Sequence, residues 1–224
     1  MFVLPKIKTI FLTLFLSMKT IGFGGKQGFH SPHLSRIFDG KNSNSSVWEI
    51  NNHLGTHIDL PKHFFDDGMT ASNYEAKNWI FENPFLLDAP ATSDQIIDLA
   101  SQRNAIPVHS DLLLVRTGYE SFRSMNKYWE HNPGLAPELG SWMKIHRLNI
   151  RCVGFDFICL TAFQHRELRK QFHKSFSGSE NGPPILLIED MSLQKYQVNL
   201  VKIIVAPVLV AFAVGAPVTV ISGI

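Results

Sequence analysis

The chain has 224 residues, 45% of them hydrophobic and 18% charged, a composition that describes an ordinary folded protein able to bury a sizeable core. Its formal charge of +2, with no run of basic residues, excludes an electrostatic nucleic-acid surface. Two cysteines make no disulfide framework, so a reducing, cytoplasmic compartment is expected.

At the amino terminus, KIKTIFLTLFLSMKTIGFGG places lysines ahead of an apolar run from Thr9 to Leu16. A signal peptide would share those lysines, but the run is short, Lys19 follows it, and no small-residue cleavage site comes after. Its β-branched and aromatic content suits a buried strand. DGKNSNSS (Asp39 to Ser46) reads as an exposed loop, and SVWEI as a strand leading into a histidine-rich segment. PFLLDAP and HSDLLLVRTGY are apolar runs bounded by turn residues, hence strands. Between them SDQIIDLASQ predicts a helix, with Ser93 as N-cap and helical spacing at Ile96, Ile97 and Ala100. NPGLAPELGSWMKIH predicts a turn and a short helix, and RCVGFDFICL a strand. TAFQHRELRKQFHKSF then predicts a helix, and PPILLIED another strand. The odd separation of Cys152 and Cys159 puts them on opposite faces, as reduced, buried core residues. The tail from Ile203 to Ile224 is uncharged and long enough to span a bilayer. Pro207, Gly215 and Pro217 interrupt it, however, and two buried strands joined by a turn near Gly215 explain it better than a membrane partner. With no repeat and no low-complexity linker, the chain reads as one mixed α/β domain over residues 1–224.

The histidine-rich segment NNHLGTHIDLPKHFFDDG holds His53, His57, Asp59 and His63 within eleven positions. Gly55 and Pro61 disfavour a helix there. In an extended chain the four residues share parity and one side. A straight strand would nevertheless hold His53 and His57 roughly 13 Å apart, at about 3.3 Å per residue. Metal–nitrogen bonds are only about 2 Å long, so the chain must bend, and Gly55 permits the bend. Two histidines and an aspartate at a bent strand end suit Zn²⁺ or Mn²⁺. His30, His33, His109, His131 and His146, by contrast, are read as surface or hydrogen-bonded residues.

HLGTHIDLPKHF resembles the His-x-Gly-Thr-His-x-Asp-x-Pro-x-His-Phe signature of the cyclase-like metal-dependent hydrolases, the group of bacterial kynurenine formamidase and isatin hydrolase. LFLSMKTIGFGGKQGF, LLLVRTGY, NPGLAPELGSWM, CVGFDF, FQHREL, PILLIED and GAPVTVI resemble further family segments in the same order, so the likeness covers nearly the whole chain. It implies a swivelling β/β/α fold and a homodimer or higher assembly. It also implies one or two ions held by His53, His57 and Asp59, with His63 as proton acceptor and donor. His173 and Glu189 are the best counterparts for the rest of a two-metal site. SENG looks inserted between His173 and the strand that carries Glu189, which lengthens their spacing, and AFAVG (Ala211 to Gly215) replaces a more polar loop. On a helical wheel His165 shares a face with Leu168, Phe172 and Phe176 while His173 sits about 80° away, at about 100° per residue, so His165 is the alternative.

A divalent ion in such a site lowers the pKa of bound water from about 15.7 towards 7 and polarises a carbonyl. His63 suits the proton transfer, since imidazole titrates near neutrality. The expected activity is hydrolysis of an amide-type C–N bond in a small-molecule carbonyl substrate, an aryl formamide or a cyclic amide. The alternatives are a non-hydrolytic cyclase or dehydratase of the same fold, or a silent metal-binding homologue. Phe64, Phe65, Trp79 and Phe163 are candidates for an aryl pocket, Asp66 and Asp67 for acceptors behind the ligand histidines, and Asp156 for a backbone-bonded carboxylate.

Overall fold

A computed structural model describes residues 8–194 and 200–224; Lys6, the first lysine ahead of the apolar run, lies outside them. Nine strands of the described residues form one mixed sheet. In chain order they are β1 (Thr9–Phe11), β2 (His57–Asp59), β3 (Ile80–Phe81), β4 (Pro84–Asp88), β5 (Leu112–Arg116), β6 (Cys152–Phe155), β7 (Leu186–Glu189), β8 (Lys202–Pro207) and β9 (Gly215–Gly223). Their spatial order is β3-β8-β9-β2-β7-β6-β5-β4, and β1 pairs with the carboxy-terminal end of β9. Strands β4 to β7 are mutually parallel, whereas β2, β3, β8 and β9 pair antiparallel with their neighbours. The helices are α1 (Lys127–Glu130), α2 (Pro137–His146) and α3 (Arg169–Ser177). The architecture is therefore a single mixed α/β domain.

Strict alternation in the strands divides the core in two. Leu113 and Val115 of β5, Val153 and Phe155 of β6, and Leu187 of β7 pack with Leu139 and Met143 of α2 and Phe172 and Phe176 of α3. Leu112, Leu114, Cys152, Leu186 and Ile188 point the other way, onto Phe81, Ile203, Val205, Val218 and Val220. Burial on both faces explains why the parallel strands are continuous apolar runs. The same alternation orients the polar residues. Ile58 belongs to the second cluster, so His57 and Asp59 on either side of it face the helices. Ile188 belongs there too, which turns Glu189 to the helical face.

Most predicted elements are present. Of the amino-terminal run only Thr9–Phe11 is a strand, and it is largely exposed; Leu12, whose N–H donates to Val220 O, is the one buried residue of the run, and Phe15 is exposed. The tail is an antiparallel hairpin, and no helix of the described residues is long and apolar enough to cross a membrane. The bend of that hairpin lies over residues 208–214 instead of at Gly215, which opens β9. SVWEI contributes only Glu49–Ile50 to a two-stranded ribbon with Phe29–His30, and Trp48 is exposed. The predicted helix at SDQIIDLASQ is absent. Asp94 and Leu99 have φ of 61° and 54°, and Ile96–Ile97 pair with Gly134–Leu135. Burial there has period two, Ile97 and Leu99 inside and Asp98 outside, so strand pairing and two left-handed residues override the helical spacing.

Candidate metal centre

The chain enters the site through a glycine. Gly55 has φ +62°, a left-handed conformation that favours glycine, and a Cβ there would also crowd the end of the Leu16 side chain. Thr56 anchors the bend, its hydroxyl donating to Asp190 O at 2.7 Å and accepting from Leu14 N–H at 2.8 Å. After the three residues of β2 the chain turns through a 3₁₀ turn, Pro61–His63, with proline at its first position. The bend expected at Gly55 is present, and shared strand parity holds only for His57 and Asp59. A left-handed residue and a 3₁₀ turn place His53 and His63.

These bends bring the imidazoles together. The ring of His53 lies 5.2 Å from that of His57 and 4.1 Å from that of His63, centroid to centroid. His53 Nδ1 is 2.7 Å from Asp59 Oδ1, and His57 Nε2 is 3.6 Å from the same oxygen. His53, His57 and Asp59 each offer a ligand atom within 4.8 Å of the others. His57 Nδ1 donates to Gly55 O at 2.7 Å, which fixes the ring and turns Nε2 to the cluster. Glu189 is the strand partner of His57. Its Oε2 lies 3.4 Å from His57 Nε2, while its Oε1 accepts from Leu160 N–H at 2.8 Å. His173, on α3, stacks on Phe64 at 3.6 Å between centroids, and its ring lies 6.5 Å from that of His63. Both His173 and Glu189 therefore reach the same cavity, with His173 beyond the tight group of three.

The electrostatics follow from this crowding. Burial alone would depress the His57 pKa, but the hydrogen bond to Glu189, the charges of Asp59 and Glu189 and the Gly55 carbonyl outweigh it and raise it to about 9. Asp59 is also buried, yet the hydrogen bond from His53 and the charges of His57, His53 and His173 hold its carboxyl well below the usual range. Burial, reinforced by the charge of Asp59, pushes Glu189 up against the pull of His57. Burial lowers His173 to about 3, with His63, Arg169 and His53 adding to the effect. His63 sits at the exposed rim, where partial desolvation with His53, His57 and Arg169 nearby lowers its pKa despite Asp59.

The donor set fits a divalent metal on an observation independent of charge. Among the described residues, His53 Nε2 and both ring nitrogens of His173 are buried without a hydrogen-bond partner, and Asp59 Oδ1 meets only the imidazole nitrogens of His53 and His57. Orphaned polar atoms in a protein interior are costly. Here they lie at or beside the group of His53, His57 and Asp59, imidazole and carboxylate donors of the kind that Zn²⁺ or Mn²⁺ prefers.

The group opens into a cavity of about 620 Å³ lined by Phe23, Lys26, His30, Glu49, Leu54, Phe64, Ile158, Cys159 and Arg169 as well as by the cluster. Of the expected aromatic residues only Phe64 lines it. Trp79 is buried in the second core cluster, Phe163 packs behind Phe23 at 5.5 Å between centroids, and Phe65 is not part of the wall. Cys152 is a buried core thiol as expected, but Cys159 borders the cavity instead of closing into the core. His30, read as an ordinary surface histidine, stands at the mouth.

His165 is excluded by backbone geometry. The helix does not run continuously from it, since residues 163–168 form a 3₁₀ segment with His165 at φ −117° and only Arg169–Ser177 are α-helical. The wheel that favoured it presupposed one unbroken helix, and the side chain lies 3.8 Å from Glu167, outside the cavity. The inserted SENG forms a turn with Asn181 and Gly182 at positive φ, held by Lys144 donating to Gly178 O and Glu180 O. It is absorbed outside the sheet, so the register of Glu189 on His57 is undisturbed. AFAVG contributes no cavity wall. Asp66 and Asp67 are exposed and make no contact with the histidines. Asp156 accepts from Thr117 N–H, Thr117 O–H and Gly118 N–H at 2.9, 2.5 and 2.8 Å, a bracing role at the end of β5.

The model of the Cyclase family matches residues 10–160. Cyclase-like protein 2 of Oryza sativa subsp. japonica is 26% identical over 189 residues, covering 80% of this chain and 65% of that protein. An uncharacterized protein of Haemophilus influenzae is 28% identical over 120 residues, 51% of this chain and 84% of that one. An isatin hydrolase bound to the product analogue thioisatinate has the same fold, with a TM-score of 0.80 at 15% identity over 98% of this chain and 93% of that one. Isatin hydrolase A from Labrenzia aggregata, bound to benzyl benzoate, has a TM-score of 0.79 at 19% identity over 97% and 94% of the two chains. With more than half of its length matched by the family model, and the fold shared throughout, the chain belongs to the Cyclase family.

Proposed function

We propose that the protein is a metal-dependent hydrolase that cleaves an amide-type C–N bond, in an aryl formamide or a cyclic amide. The observation that carries the reading is the convergence of His53, His57 and Asp59, each with a ligand atom within 4.8 Å of the others, at the floor of a solvent-reaching cavity. The isatin hydrolases of the same fold favour a cyclic amide or its relatives.

His53, His57 and Asp59 would hold the first ion, Zn²⁺ or Mn²⁺. His173 and Glu189, with Asp59 shared, would hold a second if two are bound. A divalent cation supplies Lewis acidity there, acidifying water and polarising a carbonyl. His63 does the proton work. Its pKa lies below the ordinary 6.5, so at neutral pH a ring nitrogen is free to take a proton from water and return it to the leaving nitrogen. Its place at the exposed rim lets it exchange that proton with solvent. Gly55 O orients His57 through Nδ1, and Leu160 N–H orients Glu189 through Oε1. Phe23 and Phe64 offer flat apolar walls to an aryl group.

The test is hydrolysis of formanilide and of isatin by protein loaded with zinc or manganese, against protein stripped with a chelator. Turnover that appears only with metal supports the reading. No turnover of either class after reconstitution, with stoichiometric metal bound, would remove it.

A further inference from the structure

Arg169 opens α3 and stands one turn ahead of His173, so the two side chains leave the same helix face. Both line the cavity. The guanidinium lies over the ring of Phe23, 5.0 Å from its centroid, which sets its plane against an aromatic wall. Its Nε is buried and has no hydrogen-bond partner among the described residues. Among the described residues the carboxylates of the cavity are engaged elsewhere or apart from it. Asp59 and Glu189 face the histidines, and Glu49 lies in the ribbon at the mouth with no ion pair to Arg169.

A guanidinium stays charged at any working pH, and in this half-buried side chain the buried Nε–H still lacks an acceptor, which is costly. Its fork matches a carboxylate in two parallel hydrogen bonds. The amino-terminal end of α3 adds positive potential at the same place, and the exposed Lys26 is a second cation lining the cavity. We infer that Arg169 is a specificity-determining residue that receives a carboxylate carried by the substrate, away from the bond to be cleaved. The favoured substrate class is then an aromatic amide with an acidic substituent, its ring along Phe23 and Phe64. This rests on reading the cavity as the active site.

The inference is tested by binding, without turnover. The probes are 4-acetamidobenzoate and acetanilide, which differ only in the carboxylate, titrated into metal-loaded protein by calorimetry or ligand-observed NMR. The intact protein is expected to bind the acid about tenfold or more tightly than the neutral probe, the scale of a charge-assisted pair. In Arg169→Met that ratio collapses towards one, Arg169→Lys keeps part of it, and a matching circular-dichroism spectrum shows that both variants fold. Equal affinity for the two probes in the intact protein overturns the inference. So does a preference that survives Arg169→Met but disappears in His57→Ala, which would place the carboxylate on the ion. A preference lost in Arg169→Met, in a protein that hydrolyses nothing, would sink the hydrolase reading and leave Arg169 only as the carboxylate-binding residue of the cavity.

Discussion

His57 and Glu189 face each other as direct partners in adjacent antiparallel strands, with Nε2 3.4 Å from Oε2. The pairing ties the motif-bearing strand β2 to the end of the parallel half of the sheet. It holds a buried carboxylate against a buried imidazole, which raises the pKa of the imidazole in the metal-free protein.

Metal binding must displace that proton. The His57 pKa of the metal-free protein is raised to about 9, so the ring is charged at neutral pH and an ion has to replace its proton. Apparent affinity should rise about tenfold per pH unit between pH 7 and 9 from this group, then level off. Zinc titrations at several pH values, in buffers of different ionisation enthalpy, would check both slope and proton release. The sign for folding is opposite. A pKa raised above the unfolded 6.5 stabilises the metal-free protein fully below that value, and the contribution is lost as pH rises through 9.

Removing a ligand should remove the ion. His57→Ala is expected to cost more than the roughly 10–100-fold in affinity typical of losing an outer-shell partner. Metal content per chain by mass spectrometry, on protein purified without chelator, gives the result. Near one or two equivalents in the parent, lost in the variant, also reports how many ions bind.

His63→Ala separates base from ligand. Turnover should fall about 10²–10⁴-fold while metal content stays at the parent level, because His63 lies at the rim and outside the tight group of donors. Unchanged turnover would end its assignment as proton carrier.

Gly215 lies under the His53 ring. A Cβ there would sit 2.5 Å from His53 Cε1 and 2.9 Å from Ile58 O, so Gly215→Ala should push His53 away from Asp59. The expected cost is about 1–3 kcal/mol of stability together with weaker metal binding, read by thermal unfolding of metal-free protein and by metal titration.

Arg123 pairs with Asp190 at 2.7 Å, and Tyr128 O–H donates to the same carboxylate at 2.5 Å. Asp190 is buried, has φ +55° and directly follows Glu189. Arg123→Met leaves a buried charge with one partner fewer and should cost about 3–5 kcal/mol in denaturant unfolding.

The residues that make this site were legible where local chemistry alone dictates them. His53, Gly55, His57, Asp59 and His63 form one continuous signature, and the need for a bend at Gly55 follows from the reach of an extended chain against the length of a metal bond. The parallel strands were legible as continuous apolar runs, because burial on both faces leaves no polar alternation to misread. SDQIIDLASQ misled because its helical spacing competes with a strand partner, Gly134–Leu135, that lies far along the chain. His165 misled because a helical wheel assumes a continuous helix, and the 3₁₀ segment before Arg169 breaks it. Tertiary structure alone decided the rest. The register of β7 on β2 set Glu189 against His57, the start of α3 aimed Arg169 and His173 into one cavity, and Gly215 admitted the His53 ring. Each joins residues distant in sequence, and local spacing carries no information on contacts that exist only once both halves of the sheet have closed.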